Sequence, residues 1–412
     1  MLKKTKSKII NDPIYGFVTI PNNLTFKLIE HRYFQRLRRI RQLGLTQLVY
    51  PGALHTRFHH VIGAMHLMMQ AIETLRSKGQ SITEKEAEAA EIAILLHDIG
   101  HGPFSHALEH TIVHNMNHET LSQLFIARLN KEFKGQLTLA LKIFNGEYHK
   151  KFLHQLVSSQ LDVDRLDYLV RDSFYTGVSE GIVGSDRIIK MLDVVNNQLV
   201  VELKGIYSTE KFILARRLMY WQVYLHKTVL SAEHMLVNIL KRAKELALKG
   251  EELFCTPALH EFLYNKHDKN SFLSNPKILD TFAELDDHDI MASVKVWVGH
   301  KDKTLSTLAK YMADRKLFSI TMQNQPFDKK SIDALKLRAQ KLLKIKPEEV
   351  GYFVFSGEVA NNIYNPEKIR INILFKDGKT KDILEASDQL NGSALAKTVK
   401  KYFLCFPKEL RT

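Results

Sequence analysis

The sequence predicts a mainly α-helical protein, with a small β-hairpin set into the helical body and a smaller α+β lobe towards the C-terminal end. Three observations carry this. Apolar residues recur at helical spacing through most of the first 290 residues. Asn196-Asn197 separates "IIKMLDVV" from "QLVVELKG", the pattern of a two-residue hairpin turn. Beyond about residue 300, runs rich in β-branched and aromatic residues alternate with turn signals. A chain of 412 residues is long for one core, and the change of texture places two domains at 1–290 and 291–412.

The elements follow in order. "NLTFKLIEHRYFQRLRRIRQLG" and "HHVIGAMHLMMQAIETLRSKG" read as the first long helices. Thr83 followed by Glu86 forms a capping box, opening a helix in which Ala87, Ala90, Ile94 and Leu95 recur at helical spacing. That helix ends at Asp98-Ile99-Gly100. "HETLSQLFIARLN", "FLHQLVSSQLDVDRLDYLVRDSF" and "STEKFILARRLMYWQVYLHKTVLSAEHMLVNILKRAKELALKG" complete the helical body. In the C-terminal lobe, "KLFSITM", "VGYFVFSGEV" and "KIRINILFKDGKTKDIL" read as strands around the helical "KKSIDALKLRAQKLLK".

Composition excludes several classes. Hydrophobic residues at 45% and charged residues at 25% are globular values, which argue against a disordered chain. No run reaches the roughly 18 uncharged apolar residues of a membrane span. The start, "MLKKTKSKIINDP", lacks the apolar stretch of a signal peptide, so a cytoplasmic protein is expected. Two cysteines, Cys255 and Cys405, offer neither a disulfide framework nor metal-ligand spacing and are read as buried thiols. A net charge of +14 fits a polyanionic partner: a nucleotide, a nucleic acid or an acidic lipid.

The chemistry concentrates in "LLHDIGHGPFSH", residues 95–106. Neighbours on a helix diverge by about 100°, so one ion reaches both His97 and Asp98 only where the backbone leaves the helix. The glycines at 100 and 102 allow that departure. His60 in "HTRFHHVIGAMH" and an aspartate in "LDVDRLDYLVRD" are further candidate ligands. Imidazoles with carboxylates suit Mn, Fe, Zn or Ni rather than magnesium alone.

In order along the chain, "NDPIYG", "FQRLRRIRQLG", "VYPGALHTRFHH", "LLHDIGHGPFSH", "NHE", "DVDRLDYLVRD" and "ARRLMYWQVYLHK" span roughly residues 8 to 236. This ordered set resembles the HD-superfamily dNTP triphosphohydrolases, the dGTPase-like branch that includes the SAM-and-HD-domain enzymes. The resemblance implies hydrolysis of a dNTP, dGTP among them, to a deoxynucleoside and inorganic triphosphate. It implies metal ligands at His60, His97, Asp98 and Asp164, an acid-base group of His101, His106, Glu109 and His118, and Arg57 near the α-phosphate with His106. Arg165, Arg216 and Lys227 are expected on phosphates. Gln42 and Asp172 are expected at the sugar 3′-hydroxyl, and Tyr168 and Tyr224 along the sugar and base. A magnesium ion accompanying the phosphates fits the same scheme.

A dNTP effector site is implied at Lys8, Asn11, Glu30, Gln35 and Arg38, with Glu30 standing where the family has aspartate. Because such sites lie between subunits, a homo-oligomer built from dimers, a tetramer or hexamer, is expected. No SAM module is expected ahead of Asn11. Two alternatives stay open: phosphodiesterase or nucleotidase action on the same metal core, and a nucleic-acid-binding sensor suggested by Arg36, Arg38, Arg39 and Arg41 in one helical stretch.

Overall fold

Asp12 starts the first turn of the chain. Its Oδ1 accepts the backbone N–H groups of Ile14 (2.8 Å) and Tyr15 (3.0 Å), and Gly16 closes the turn at φ +72°. Strands β1 (Lys8–Asp12) and β2 (Gly16–Ile20) therefore pair antiparallel, a hairpin absent from the sequence-based expectation. The structure is a computed structural model that describes residues 8–104, 111, 113, 116–361, 364, 369–388 and 399–411.

Helix α1 (Asn23–Glu30) is capped by Asn22, which accepts from Thr25 N–H at 2.8 Å. The long helix expected over 22–44 stops here: His31 is extended, Arg36–Arg39 is a 3₁₀ turn, and Ile40 is extended again. Arg36 explains the break. Its guanidinium is fully buried, donating to the carbonyls of Ile99 (2.8 Å) and Leu285 (3.3 Å), which drags its backbone into the core.

The helical body forms around α2 (Arg57–Ser77), buried on most of its surface, with α3 (Glu84–Leu96) packed against it. The Thr83–Glu86 capping box is present, with Glu86 N–H on Thr83 Oγ1 at 3.3 Å and Thr83 N–H on Glu86 Oε2 at 2.8 Å. Helices α4 (His118–Glu132), α5 (Thr138–Phe144), α6 (Lys151–Val157) and α7 (Val163–Thr176) follow. Leu67, Met68, Leu95, Leu96 and Leu153 are fully buried, each contributing about 1.5–3 kcal/mol on burial. The expected continuous helix over 152–174 is split because Asp162 caps α7, its Oδ1 accepting Arg165 N–H at 2.8 Å.

The inserted hairpin is as expected: β3 (Leu192–Val195) and β4 (Gln198–Glu202) turn on Asn196 (φ 51°) and Asn197 (φ 63°), the left-handed pair that a tight hairpin needs. Helix α8 (Ile206–Met219) and helix α9 (Lys227–Leu248) replace the single helix expected after residue 207. Between them Tyr220–Tyr224 is a π-turn, and His226 restarts the helix by accepting Thr228 N–H at 3.2 Å.

Helices α10 (Asp287–Trp297) and α11 (Lys303–Ala313) pack on each other, and α11 packs on α9. The remaining chain contributes β5 (Ser319–Gln323), α12 (Lys329–Leu343), β6 (Phe355–Asn361), β7 (Asn372–Leu374), β8 (Thr380–Asp382) and β9 (Val399–Phe406). Besides the β1-β2 pair, the described strands form a sheet of order β3-β4-β7-β8 and another of order β5-β9-β6. Since β4 takes β7 as a parallel neighbour, the C-terminal strands extend the inserted hairpin. Cys405 is buried as expected, whereas Cys255 is only half-buried, with its thiol 3.5 Å from the Leu253 carbonyl. Among the described residues no helix is long and apolar enough to cross a membrane.

Candidate active site

Thr56 and His59 close the N-terminus of α2, with Thr56 Oγ1 2.9 Å from His59 Nδ1, which fixes Arg57 and His60 on its first turn. The C-terminus of α3 delivers His97 and Asp98, and the first turn of α7 delivers Asp164. Gly100 serves here by proximity rather than by a left-handed backbone: a Cβ would overlap the His118 carbonyl and the Ser122 N–H of α4. That corrects the expected role of this glycine.

His60, His97 and Asp164 bring three donor atoms within 4.8 Å of one another. The orientation of both imidazoles is set from behind. His97 Nδ1 donates to the Ile94 carbonyl at 2.6 Å, and His60 Nδ1 lies 2.8 Å from Asp167 Oδ2. A carbonyl only accepts, so the His97 proton sits on Nδ1 and its lone pair on Nε2. Both Nε2 atoms are buried without an aligned hydrogen bond, although Asp164 Oδ1 stands 3.1 Å from His60 and 3.5 Å from His97. Two unsatisfied imidazole nitrogens beside a carboxylate are a donor set that fits a divalent transition ion.

Electrostatics agree with that fit. Burial opposes charge on His60, but the carboxylates of Asp164 and Asp167 push its pKa up to about 10. Burial likewise opposes charge on Asp164, and the two imidazoles hold it well below the usual carboxylate range. The cluster is built to take positive charge. Asp98 adjoins it, 3.2 Å from His97 Nε2 and 3.9 Å from His60 Nε2, while its oxygens also meet Arg57 at 2.5 Å and His101 at 3.2 Å. Burial and the Arg57 guanidinium hold His101 well below its ordinary pKa, and its ring stacks on His118 at 3.9 Å. His106 and Glu109 lie outside the described residues.

Asp164, Tyr168 and Asp172 recur at four-residue spacing on α7 and share one face, spanning about 12 Å. The Tyr168 ring is 6.4 Å from His60 and 6.1 Å from Tyr224. Asp172 is buried, with Oδ1 2.7 Å from His55 Nε2 and Oδ2 accepting the Tyr224 hydroxyl at 2.8 Å. The π-turn that ends α8 is what swings Tyr224 into this contact. Gln42 is tied to the same place, its N–H donating to the His55 carbonyl at 3.0 Å, and its Oε1 is buried without a partner. Arg165 pairs with Asp162, and the Nε atoms of Arg165 and Arg216 are buried without partners. Lys227 is exposed at the start of α9.

Sequence reasoning missed His55, Asp167 and Arg171. The last two form a buried pair at 2.9 Å, extended by Arg171 to Asp12 at 2.8 Å. The signal was present: Asp167 and Arg171 sit three and seven residues after Asp164, on the same helix face.

The five expected effector residues form no single cluster of contacts among the described residues. Arg38 donates to Gln35 (2.9 Å) and lies over the Phe58 ring (3.6 Å); Lys8 lies over Phe26 (5.0 Å); Asn11 pairs with Phe17 across the hairpin; Glu30 is exposed at the end of α1. Of the arginine stretch, Arg36 is in the core and Arg39, though exposed, pairs with Asp286, while Arg38 is exposed.

Residues 57–172 match the HD domain and residues 183–256 the HD associated region. A phosphohydrolase of known structure from Bacteroides thetaiotaomicron is 55% identical, with a TM-score of 0.95 over 97% of this chain and 100% of that one. The uncharacterized protein YwfO of Bacillus subtilis is 31% identical over 99% of this chain and 94% of its own length. The deoxynucleoside triphosphate triphosphohydrolase SAMHD1 homolog of Dictyostelium discoideum is 31% identical over 61% of this chain, which spans 52% of that protein.

Proposed function

The chain belongs to the HD superfamily and is dNTPase-like within it, and from that premise we propose that it hydrolyses a deoxynucleoside triphosphate to the deoxynucleoside and inorganic triphosphate. The observation that supports this is the single face of α7 on which Asp164 meets two imidazoles, Tyr168 stands in the middle, and Asp172 meets Tyr224 and His55. A metal-binding end and a hydroxyl-binding end lie on either side of one aromatic ring.

His60, His97 and Asp164, with Asp98 beside them, would hold the ion. Bound there, manganese, iron, zinc or nickel supplies Lewis acidity towards a phosphoryl oxygen and acidifies water. Arg57, Arg165, Arg216 and Lys227 bind the triphosphate, with arginine suited to bidentate contact. His101, beside Asp98 and stacked on His118, belongs to the proton-transferring group with His118, His106 and Glu109. Each Asp172 oxygen keeps a lone pair after meeting His55 and Tyr224, so the carboxylate accepts from the sugar 3′-hydroxyl, with Gln42 as its neighbour. Tyr168 packs on the sugar and leaves no room for a 2′-hydroxyl.

In the same reading a dNTP effector binds at Lys8, Asn11, Glu30, Gln35 and Arg38 in a dimer-based homo-oligomer, and the enzyme works in the cytoplasm. Product analysis with each of the four dNTPs, singly and in pairs, and metal content measured on the same sample, tests the proposal. Inorganic triphosphate is the expected product, and Asp164→Ala is expected to lose both metal and turnover. Pyrophosphate with a nucleoside monophosphate, or no turnover with any of these metals, overturns it.

A further inference from the structure

Asp12 closes the first turn of the chain with one carboxylate oxygen and reaches out of the hairpin with the other. Oδ1 holds the Ile14 and Tyr15 N–H groups, and Oδ2 accepts Arg171 Nη1 at 2.8 Å. The Arg171 fork is occupied at its other end as well, since Nε and Nη2 donate to the two oxygens of Asp167, each at 2.9 Å. Asp167 Oδ2 in turn stands 2.8 Å from His60 Nδ1. The hairpin turn is thus joined to an imidazole of the candidate metal site through Asp12, Arg171 and Asp167, whose side chains are at most 2% exposed.

Taking charges out of water is costly, and a buried ion pair is often no more stabilising than well-packed apolar residues of similar volume. What this chain of contacts supplies is direction. Asp167 and Arg171 lie one turn apart on α7, so by themselves they hold only each other and fix no position relative to α2, which carries His60. The guanidinium is planar and rigid, so with Nε and Nη2 seated on Asp167 the remaining Nη1 points to one place only. Asp12 stands at that place, on a different element, and the Tyr15 ring of the same turn lies 5.6 Å from the guanidinium. Two carboxylates against one guanidinium also leave a single negative charge, which favours positive charge at the His60 end. In β1 and β2 the buried residues are Asp12, Val18 and Ile20, one charged anchor and two apolar ones.

We propose that Asp12 is a positioning residue of the candidate metal site: from the N-terminal hairpin it holds Arg171 and Asp167 so that His60 keeps its Nε2 turned towards the ion. The inference rests on the metal reading of His60, His97 and Asp164 and goes beyond it by giving the hairpin a part in ion binding. Titration of the metal-stripped full chain with Mn²⁺ against a competing chelator tests it. Asp12→Asn keeps a carbonyl oxygen for the Ile14 and Tyr15 amides and removes the anion that faces Arg171. Mn²⁺ affinity is expected to fall about 5-fold, a size usual for coupling within one hydrogen-bond network. In an Asp167→Asn background the same change is expected to cost less than about 2-fold more, because its route to His60 is already cut. The visible absorption of Co²⁺ bound in place of Mn²⁺ reports ligand geometry and is expected to shift in Asp12→Asn. Val18→Ala separates positioning from stability: it loosens the hairpin at an apolar anchor, so the melting temperature falls while Mn²⁺ affinity and the Co²⁺ spectrum stay unchanged. Thermal melts verify that each variant is folded. Unchanged affinity in Asp12→Asn, losses that add in the double variant, or an equal loss in Val18→Ala overturns the proposal and leaves the metal assignment standing. Failure of the parent protein to bind Mn²⁺ refutes that assignment, and the proposal with it.

Discussion

His60 Nδ1 stands 2.8 Å from Asp167 Oδ2, and Asp167 is in turn locked to Arg171 at 2.9 Å. The imidazole that faces the candidate metal site is thereby oriented by a buried ion pair that never touches that site. Burial works to raise the Asp167 pKa, but the Arg171 guanidinium holds it below the usual range, so this carboxylate is a fixed acceptor.

Asp167→Asn keeps the shape and removes the charge. We expect metal affinity to fall about 10- to 100-fold, the usual effect of losing the group behind a ligating histidine. Chelator-competition titration measures it. Unchanged affinity would show that His60 needs no orientation from behind.

Gly63 on α2 is where that ion pair nestles: a Cβ there would overlap Asp167 Oδ1 and Arg171 Nη2. Gly63→Ala is expected to cost about 1–3 kcal/mol in urea unfolding, through displaced packing of the pair. Metal affinity should fall with it, and a fully stable variant would contradict the packing described.

Tyr224→Phe removes one of the two hydrogen bonds on Asp172 and leaves the ring in place. KM for a dNTP is expected to rise about 5-fold with kcat nearly unchanged, the effect of about 1 kcal/mol of binding. A loss confined to kcat would move Tyr224 from sugar binding into the chemical step.

Glu91 gives a pH signature. Its folded pKa of about 7 is raised above the ordinary value of 4.5, so its contribution is complete at acidic pH and is lost as pH rises through 7. Glu91→Gln, which cannot ionise, should therefore melt like the parent protein near pH 5 and gain stability near pH 8, by on the order of 2–3 kcal/mol. Melting temperatures across that window measure the gain, and equal melting at both ends would rule out a buried carboxylate with a raised pKa.

The most legible features of the fold were those encoded a few residues apart. The Thr83–Glu86 box and the Asn196-Asn197 turn are local hydrogen-bond and backbone preferences, and both stand in the structure. Strand β9 was illegible although it lies at the centre of its sheet, because Lys400 and Lys401 interrupt the apolar pattern of "VKKYFLCF" and its partners β5 and β6 are remote in sequence. The helix breaks at Asp162 and at Tyr220–Tyr224 were hidden inside runs whose helical character continues on both sides.

The sequence by itself determined the mainly helical architecture and the inserted hairpin, and its ordered motifs pointed to a phosphohydrolase family. Only the tertiary structure decided how the aspartates of "DVDRLDY" divide their work: Asp162 caps α7, Asp164 meets the imidazoles and Asp167 orients His60 from 107 residues away. It also decided that Arg36 belongs to the core and that Glu91 is buried on α3. The physical reason is common to all three. Spacing along a helix sets which side chains share a face, whereas burial and the partner across the gap, supplied by elements far away in the chain, set what each of them does.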